Sequence, residues 1–331
     1  MKYTESTLSM STYLISQQAK KQGFTVEILG KNNLILHKNT SYIHVKGSRT
    51  SFQSSIGVST ANNKGLTKIF LSRFNIPTAK HIIVKDFEVF AKTEHLELTF
   101  PIVIKPADGS GGKNVHIGIQ HLAEAKKIVS SLEGKAKKLI LEEMLIGDEY
   151  RVTCVDYKVV AVTMRKPAFV TGDGVKTIGQ LIEEKNEHHW RGNEVADNLP
   201  LVKIKINDFL IECLDEQKLT LKTIQTNKNE VYLRKNSNIS TGGEGYNIDL
   251  KNIHPENIKL FEKITKVCDL NVSGIDIMCK DLSVPITEQN NAGVVEVNAS
   301  PGIDVPEFPM SGTPINVAEK IVEMIEKYMG R

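Results

Sequence analysis

The spacing of apolar and polar residues changes repeatedly along the chain and predicts helices and strands in a mixed order. Apolar residues spaced for one face of a helix occur over residues 11–22, 62–74, 121–132, 177–187, 255–268 and 315–328. Short apolar or alternating runs predict strands over residues 24–29, 34–36, 42–45, 81–84, 139–141, 150–155, 158–164, 275–279 and 294–297. The strand at 139–141 is expected to break at Glu142 and Glu143, and the strands at 150–155 and 158–164 are expected to form a hairpin through Asp156-Tyr157. Because regular βαβ alternation is missing from this pattern, the predicted fold class is α+β.

A glycine-rich loop separates two apolar runs within residues 100–119. The first run ends at Lys105, residues 108–113 read DGSGGK, and the second run continues through Val115, Ile117 and Ile119. This pattern predicts a hairpin whose loop offers backbone N–H groups and lysines, which suits an anionic ligand. It is not the P-loop pattern, because the lysine precedes the glycines and a strand follows them instead of a helix.

Residues 188–226 are polar and irregular, with short apolar patches, and are predicted to form an insertion. Two interpretations remain open for it: a surface that recognises a substrate, or a solvated structural excursion. In the first interpretation, Trp190 and Arg191 would hold the apolar and carboxylate parts of an amino acid.

The composition narrows the function classes. The 331 residues carry 42 basic and 39 acidic side chains, a net charge of +3, which gives no support for a nucleic-acid or membrane partner. No apolar run approaches the length of a signal peptide core or a membrane span. Cys154, Cys213, Cys268 and Cys279 are widely spaced, which disfavours a zinc site or a disulfide framework and predicts a cytoplasmic protein.

Two stretches near the end of the chain carry oxygen ligands in an apolar setting. Asp276 follows Gly274 and Ile275, and Glu296 and Asn298 alternate with valines, so both should lie on the same face of a strand. Two carboxylates and an amide oxygen on adjacent strands suit Mg²⁺. The alternative is a pair of surface carboxylates, but burying unpaired carboxylates among apolar neighbours is costly.

The segment 139–151 carries several glutamates. Glu142 could accept a hydrogen bond from an adenine amino group, the backbone at Met144 and Leu145 could serve the ring edge, and Glu149 could bind ribose hydroxyls. Taken alone, this set is more typical of a helix cap or a polar surface than of a nucleotide site. Its position between the glycine-rich loop and the oxygen cluster favours nucleotide binding.

Together these motifs resemble the ATP-grasp superfamily over residues 62–328. The resemblance is carried by the glycine-rich loop, by EEMLIGDEYRV at 142–152, by GID at 274–276 and by EVNASPG at 296–302. Residues 11–29 and NKGLTK at 63–68 look like the ligase half of bifunctional bacterial glutathione synthetases. RG at 191–192, NISTGG at 238–243 and HPEN at 254–257 look like the ATP-grasp domain of cyanophycin synthetase.

The resemblance implies a fold and a division of the chain. It implies an ATP-grasp fold, in which two α+β lobes grip ATP, preceded by a short α/β segment. The expected ranges are 1–61 for that segment, 62–138 for the lobe with the glycine-rich loop, and 139–331 for the lobe with the metal site and the insertion at about 188–226.

The resemblance also implies a chemistry. A substrate carboxylate attacks the γ-phosphate of ATP to give an acyl phosphate, and an amine then displaces phosphate to form an amide. ATP and two Mg²⁺ ions, or Mn²⁺ in their place, are the implied cofactors. The residues implied for ATP binding are Lys64, Lys105, Asp108, Gly109, Ser110, Gly111, Gly112, Glu142, Glu143, Leu145 and Glu149, and those for the metal are Asp276, Glu296 and Asn298.

One departure concerns the arginine that D-alanine–D-alanine ligases carry two residues before the first metal-binding aspartate. That position is Gly274 here. Arg165 and Arg234 are the candidates to supply the missing charge, with Arg151 as a third, although a structural salt bridge explains each equally well. Asn238 and Gly242 are expected to contact the substrate or acyl phosphate, and a plain turn is the alternative.

The resulting hypothesis is an ATP-dependent carboxylate–amine ligase acting on amino acids or small peptides. Two alternatives stay open: an ATP-grasp kinase that stops at phosphoryl transfer, and a non-catalytic nucleotide-binding protein. The additional catalytic half of the named families does not fit in 331 residues, so the substrates of a free-standing relative are expected. The expected partners are small-molecule substrates, without nucleic acid or membrane, and a homodimer is left open.

Overall fold

The computed structural model describes residues 4–108, 114–194 and 199–330 and has a mixed α+β content, which confirms the predicted fold class. The helices are α1 (Met10–Lys21), α2 (Ser55–Asn62), α3 (Lys64–Arg73), α4 (Phe87–Ala91), α5 (Leu122–Ser131), α6 (Ile178–Asn186), α7 (Asp208–Glu216), α8 (Pro255–Val267), α9 (Asp304–Glu307) and α10 (Val317–Met329). The strands are β1 (Thr25–Gly30), β2 (Asn33–Lys38), β3 (Ser41–Lys46), β4 (Arg49–Thr50), β5 (His81–Val84), β6 (Ile102–Pro106), β7 (His116–Ile119), β8 (Leu139–Glu143), β9 (Asp148–Val155), β10 (Lys158–Lys166), β11 (Phe169–Thr171), β12 (Arg191–Gly192), β13 (Leu201–Val202), β14 (Glu230–Tyr232), β15 (Glu244–Ile248), β16 (Val272–Cys279) and β17 (Gly293–Asn298).

The chain divides into two compact units, and each unit collects separate stretches of sequence. The terminal unit consists of Met1–Ser51, Ala161–Asp249 and Gly302–Arg331, and the central unit consists of Phe52–Val160 and Leu250–Pro301. The ranges expected from sequence, 1–61, 62–138 and 139–331, are continuous and do not coincide with these units. Sequence patterns follow neighbouring residues, whereas a compact unit is defined by contacts between distant ones.

One sheet of the central unit is antiparallel in the order β5-β8-β6-β7. Its core includes Ile102, Ile104, Leu139 and Leu141, which pack with apolar residues of α4 and α5. Strand β8 continues through Glu143, so the predicted break at Glu142 and Glu143 is wrong. The two glutamates keep the strand pairing because β5 and β6 flank them, and buried lysines compensate Glu142.

Strands β9, β16 and β17 of the central unit pair antiparallel, with β16 in the middle. Apart from the intermediate Met278, every residue of β16 is buried. The predicted reversal at Asp156-Tyr157 is present: both residues have positive φ, 52° and 62°, which suits a two-residue turn between β9 and β10. This strand arrangement determines which polar side chains of the central unit come together.

In the terminal unit, β1 to β4 form an antiparallel sheet in sequence order. Leu34 and Leu36 of β2 and Ile43 and Val45 of β3 are buried, as the alternation of each strand requires. Helix α1 packs against α10, whose apolar residues are spaced for one face. Strand β10 begins in the central unit and continues in the terminal unit, where it pairs with β15.

The predicted insertion at 188–226 is more regular than its polar sequence suggested. It contains α7, whose residues Leu210, Cys213 and Leu214 are buried one helical turn apart. Asn207 caps the helix by accepting a hydrogen bond from Leu210 N at 3.2 Å. Leu210 and Leu214 join a core that also includes Ile178 and residues of β11 and β14. The prediction of an irregular segment is therefore wrong for this part.

All four cysteines are buried free thiols. Burial raises the pKa of the Cys154 thiol to about 12 and that of the Cys268 thiol to about 11, so both stay protonated at neutral pH. They pack as small apolar side chains. Separately, no helix within the described ranges combines the length and hydropathy that a membrane span needs.

Candidate functional site

A buried cluster of two lysines and one glutamate lies on the four-stranded sheet of the central unit. Glu142 on β8 is directly opposite His81 of β5 and Val103 of β6. One of its carboxylate oxygens lies 2.7 Å from Lys68 Nζ, and the other contacts Lys105 Nζ. None of these three charged side chains is more than 8% exposed. The predicted phosphate ligand Lys105 is thus paired with a carboxylate at the sheet.

The charges in this cluster do not cancel, because two ammonium groups share one carboxylate. Burial acts to raise the pKa of Glu142, but the charges of Lys105 and Lys68 outweigh burial and hold the pKa below its ordinary value. Burial lowers the pKa of the Lys68 ammonium; Glu142 opposes this shift and Lys105 adds to it. An excess of positive charge in a buried place favours an anionic ligand nearby.

Glu142 was expected to accept a hydrogen bond from the adenine amino group, but in the structure its carboxylate is paired with lysines. One of its carboxylate oxygens faces Lys68 and the other faces Lys105. The neighbouring Glu143 accepts a hydrogen bond from Thr99 N at 2.9 Å. The backbone that follows β8 then remains the candidate for the ring edge.

Leu145 lies in a segment that backbone hydrogen bonds fix on both sides. Met144 N donates to Pro101 O at 3.1 Å, and Ile146 N donates to Asn291 O at 2.8 Å. A backbone held in this way is suited to present N–H and C=O groups to a flat ring. Of the glycine-rich loop, Asp108 is described and exposed, whereas the predicted ligands Gly109, Ser110, Gly111 and Gly112 lie outside the described residues.

The three residues predicted to hold a metal lie together on β16 and β17. Asp276 is directly opposite Glu296, and Asn298 is opposite Gly274. Asn298 Nδ2 donates to Asp276 Oδ2 at 3.3 Å and to Glu296 Oε1 at 3.1 Å. The sequence pattern thus identified side chains that the fold brings into hydrogen-bonding distance.

Two cations compensate these carboxylates. Arg151 on β9 lies opposite Asp276 and binds it through two nitrogens, with Nη2 at 3.0 Å from Oδ2. Lys64 Nζ contacts Glu296 Oε2. Burial acts to lower the pKa of the Arg151 guanidinium, but Asp276, Glu296 and Glu149 outweigh burial and raise it. Glu149, the predicted ribose ligand, is two residues before Arg151 on the same strand.

The absence of a side chain at Gly274 leaves room for Arg151. A Cβ atom at Gly274 would lie 3.1 Å from Arg151 Cδ and 2.7 Å from Pro301 Cβ. The position where D-alanine–D-alanine ligases carry an arginine is therefore covered here by the arginine of the neighbouring strand. Of the three arginine candidates, Arg151 is the one that the central unit places at the oxygen cluster.

The oxygen cluster fits a divalent ion that takes part of its ligands from elsewhere. Among the described residues, no three histidine, cysteine, aspartate or glutamate side chains converge to hold a metal ion. Asp276 and Glu296 supply two carboxylates, and a flip of the Asn298 amide would turn its oxygen toward them. Mg²⁺ commonly binds one or two carboxylates and completes its shell with water and phosphate oxygens.

A small cleft lies beside this cluster. Its walls are formed by α3 and β17 and include Lys64, Lys68 and Glu296. Lys64 starts α3, where Asn63 caps the helix by accepting a hydrogen bond from Leu66 N at 3.0 Å. The cap fixes the helix start and with it the lysine that was predicted to bind phosphate.

Two of the predicted catalytic residues, Arg165 and Arg234, belong to the terminal unit. Arg165 lies half-buried on β10, opposite Gly245 of β15. The Arg234 guanidinium donates to Leu233 O and Lys205 O, both at 2.9 Å. Burial lowers the pKa of Arg234. In these contacts Arg234 holds backbone carbonyl oxygens, which is a structural role different from the salt bridge of the alternative.

The other two, Asn238 and Gly242, share one tight turn of the terminal unit. Asn238 O accepts hydrogen bonds from Thr241 N at 3.0 Å and Gly243 N at 3.1 Å. Gly242 has φ 95°, and a Cβ atom there would lie 2.7 Å from Ile204 Cγ1. The glycine is required by the conformation of the turn itself, whether or not the turn also contacts a ligand.

Arg191, expected to bind a substrate carboxylate, is completely buried. Its Nη1 donates to Val202 O at 2.7 Å and to Gly242 O at 3.2 Å, and its Nη2 contacts Glu244. Trp190 is half-buried and contacts the Phe308 ring edge-on, with ring centroids 5.8 Å apart. The expectation for Arg191 is wrong, because its charge is already satisfied within the protein.

Sequence reasoning missed Lys68, which the structure places in the buried cluster. The available signal was its spacing: Lys64 and Lys68 are four residues apart on a predicted helix and so share a face. Lys68 also shares a helix face with Leu71, which is buried, and a lysine on a buried face requires a partner for its charge.

Two family models match separate parts of the chain. Residues 62–168 match the ATP-grasp (A) domain of phosphoribosylglycinamide synthetase, and residues 209–325 match the RimK-like ATP-grasp domain. These matches agree with the α+β fold and the cluster of lysines and oxygen ligands. The chain belongs to the ATP-grasp superfamily, as its motifs predicted.

The similar proteins include both groups named by the motifs. The chain is 36% identical over 284 residues to a cyanophycin synthetase of Synechocystis sp., an alignment that covers 85% of this chain and 32% of that protein. It is 32% identical over 334 residues to the glutathione biosynthesis bifunctional protein GshAB of Mannheimia succiniciproducens, covering 96% of this chain and 42% of that protein.

A solved structure shows the same relationship in three dimensions. The crystal structure of a bifunctional glutathione synthetase from Pasteurella multocida superposes with a TM-score of 0.75 at 28% identity, covering 98% of this chain and 44% of that chain. The chain spans between about a third and two fifths of the curated relatives described above.

Proposed function

We propose that this protein is an ATP-dependent ligase that joins a carboxylate to an amine through an acyl phosphate. The observation that carries the proposal is the combination, within one unit, of buried lysines with the Asp276–Glu296–Asn298 oxygen cluster. The first group suits phosphate, and the second would suit a divalent ion. Amino acids or small peptides are the proposed substrates, because the named relatives are synthetases of cyanophycin and glutathione.

The reaction consists of two displacements. A substrate carboxylate oxygen attacks the γ-phosphorus of ATP, and ADP leaves with the electron pair of the broken P–O bond. The amine nitrogen then attacks the acyl carbon, phosphate leaves, and the nitrogen loses a proton. No covalent bond to the protein forms, so the protein contributes mainly by positioning and by compensating charge.

The charged residues of the central unit divide this work. Lys105 and Lys64 would hold phosphate oxygens. Asp276, Glu296 and Asn298 would hold two Mg²⁺ ions, or Mn²⁺, whose positive charge would offset that of the transferring phosphoryl group. With a metal ion held by these carboxylates, Lys64 and Arg151 would be free to face phosphate oxygens. The backbone around Leu145 contacts the adenine edge, and Glu149 binds the ribose.

Arg151 is proposed to compensate the acyl phosphate. Its side chain lies over Gly274, where D-alanine–D-alanine ligases carry an arginine, and it is bound to the metal candidate Asp276. An arginine suits this task because its planar donors can bind two oxygens at once. Asn238 and Gly242 are proposed to contact the substrate from their turn, and Arg165 also remains a candidate.

The proposal is tested with a matrix of amino acids and dipeptides, scored by phosphate release and by the mass of the product. A ligase gives amide and phosphate in equal amounts and only when an amine is present. Phosphorylated product without dependence on an amine would instead indicate a kinase. Tight ATP binding without any turnover across the matrix would favour a non-catalytic nucleotide-binding protein.

Two variants test the assignment of the residues. Lys105→Ala and Glu296→Gln should each lower kcat by at least about 10²-fold while the protein stays folded, because each removes charge directed at the phosphates. Lys263→Ala is the matched control, since this exposed lysine only donates to Phe74 O. Turnover close to that of the wild type in either folded variant would contradict the proposed site.

A further inference from the structure

Lys68 is enclosed by protein groups although it carries a charge. Its side chain is 2% exposed, and its Nζ lies 2.7 Å from Glu142 Oε2 and 3.1 Å from Thr78 Oγ1. Thr78 Oγ1 in turn donates to Val294 O at 2.9 Å. The ammonium group is therefore fixed between a strand carboxylate and a hydroxyl that is itself anchored, and its bonds are directed to the protein.

Lys105 depends on the same carboxylate. Glu142 separates the two lysines, with one oxygen toward each. The three formal charges sum to one positive charge, and the cluster is almost completely buried. If Lys68 were neutral, Glu142 would compensate Lys105 alone and the sum would fall to zero. Lys68 thus determines how much positive charge Lys105 has left for a ligand.

We propose that Lys68 is a positioning residue for polyphosphate binding: by sharing Glu142, it leaves Lys105 an uncompensated positive charge that attracts the phosphates of the nucleotide. The proposal rests on the proposed function, in which Lys105 binds ATP phosphates. It assigns to Lys68 no direct contact with the nucleotide. The competing explanation is an ordinary structural ion pair, in which Lys68 stabilises the fold and the net charge of the cluster has no effect on phosphate binding.

Substitutions that change the sum of charges separate the two explanations. Lys68→Met lowers the sum to zero and keeps a long apolar side chain. Adding Glu142→Gln restores the sum to one positive charge, since Lys105 then stands alone with a neutral amide. A charge effect is therefore reversed by the second substitution, whereas a purely structural role of Lys68 would leave the double variant as impaired as the single one or worse.

The experiment measures the dissociation constants of the non-hydrolysable ATP analogue AMP-PNP with Mg²⁺ and of AMP by calorimetry. Lys68→Met should weaken AMP-PNP binding by about tenfold or more and leave AMP binding within about twofold, because AMP has one phosphate and lacks the β- and γ-phosphates of the chain that Lys105 is proposed to attract. The double variant should recover most of the lost affinity. The control Lys263→Met should bind both nucleotides like the wild type.

Each outcome decides the proposal. AMP-PNP binding by Lys68→Met that equals the wild type overturns it, and so does an equal loss for AMP and AMP-PNP that the double variant does not reverse. If Lys68→Met fails to fold, Lys68→Gln replaces it, because the amide still offers Glu142 a hydrogen bond without a charge. Failure of the wild type itself to bind AMP-PNP would overturn the proposed function as well, and is therefore distinguishable.

Discussion

Replacing Arg191 by methionine should destabilise the terminal unit and should not act through substrate binding. Arg191→Met keeps an apolar side chain of similar length but removes the guanidinium. Two backbone carbonyls, Val202 O and Gly242 O, then lose a charged donor. Glu244 also loses one of its partners.

The size of the effect follows from what remains around Glu244. Removing one partner of a buried ion pair usually costs about 3–5 kcal/mol, because the other charge is left unpaired. Here Glu244 keeps Lys185 at 3.0 Å and the Tyr246 hydroxyl at 2.7 Å. We therefore expect a loss near the lower end, about 3 kcal/mol. At about 2–4 °C per kcal/mol for a domain of this size, Tm should fall by about 6–12 °C.

Thermal unfolding followed by calorimetry and circular dichroism measures this loss. Arg191→Lys is the matched variant: it keeps the charge near Glu244 but cannot reach two carbonyls in a fork, so it should lose clearly less than Arg191→Met. A Tm for Arg191→Met within about 1 °C of the wild type, together with a raised KM for one organic substrate, would show that the guanidinium serves a ligand and that this reasoning is wrong.

Two further predictions concern the terminal unit. Gly242→Ala should lower the free energy of unfolding by about 1–3 kcal/mol in a urea titration, because φ is 95° and the new Cβ would lie 2.7 Å from Ile204 Cγ1. Gly23→Ala is the control for the backbone cost alone, since Gly23 has φ 82° and no atom lies within 4 Å of the added Cβ. Equal losses in the two variants would mean that the contact with Ile204 contributes nothing. Burial raises the pKa of Glu307 to about 7, so its stabilising contribution is complete below about pH 4.5 and disappears as pH rises through 7. Between about pH 4.5 and 7, the free energy of unfolding of the wild type should fall by up to about 3 kcal/mol relative to that of Glu307→Gln. Parallel pH profiles of this free energy in the two proteins would contradict the assignment.

The metal candidates were predictable because the information is local. Side chains alternate along a strand, so the letters of EVN suffice to place Glu296 and Asn298 on one face. A paired strand then brings Asp276 opposite Glu296 without further information. The hairpin turn at residues 156–157 and most helices were also predictable from neighbouring residues, because helical periodicity and turns are local properties of the sequence.

Burial of charged residues was not predictable, because it depends on which distant groups meet. Arg191 looked like a surface ligand, since its neighbours in sequence are polar, but Glu244 compensates it from another strand. Glu142 looked like a strand break for the same reason, and its two lysine partners come from α3 and β6. A single sequence does not show such pairs, and the polar pattern alone favours exposure.

The packing of α1 against α10 constrains the order in which the chain can fold during synthesis. Ile15 and Ala19 of α1 are buried, as are Ile321 and Ile325 of α10, and Gln18 and Asn316 form a hydrogen bond across 298 residues of sequence. The ribosome delivers α1 before α10, and the last segment of the central unit, Leu250–Pro301, lies between them in the sequence. The central unit can therefore fold first on the ribosome, while the first helix keeps its apolar face without its final partner until translation reaches α10.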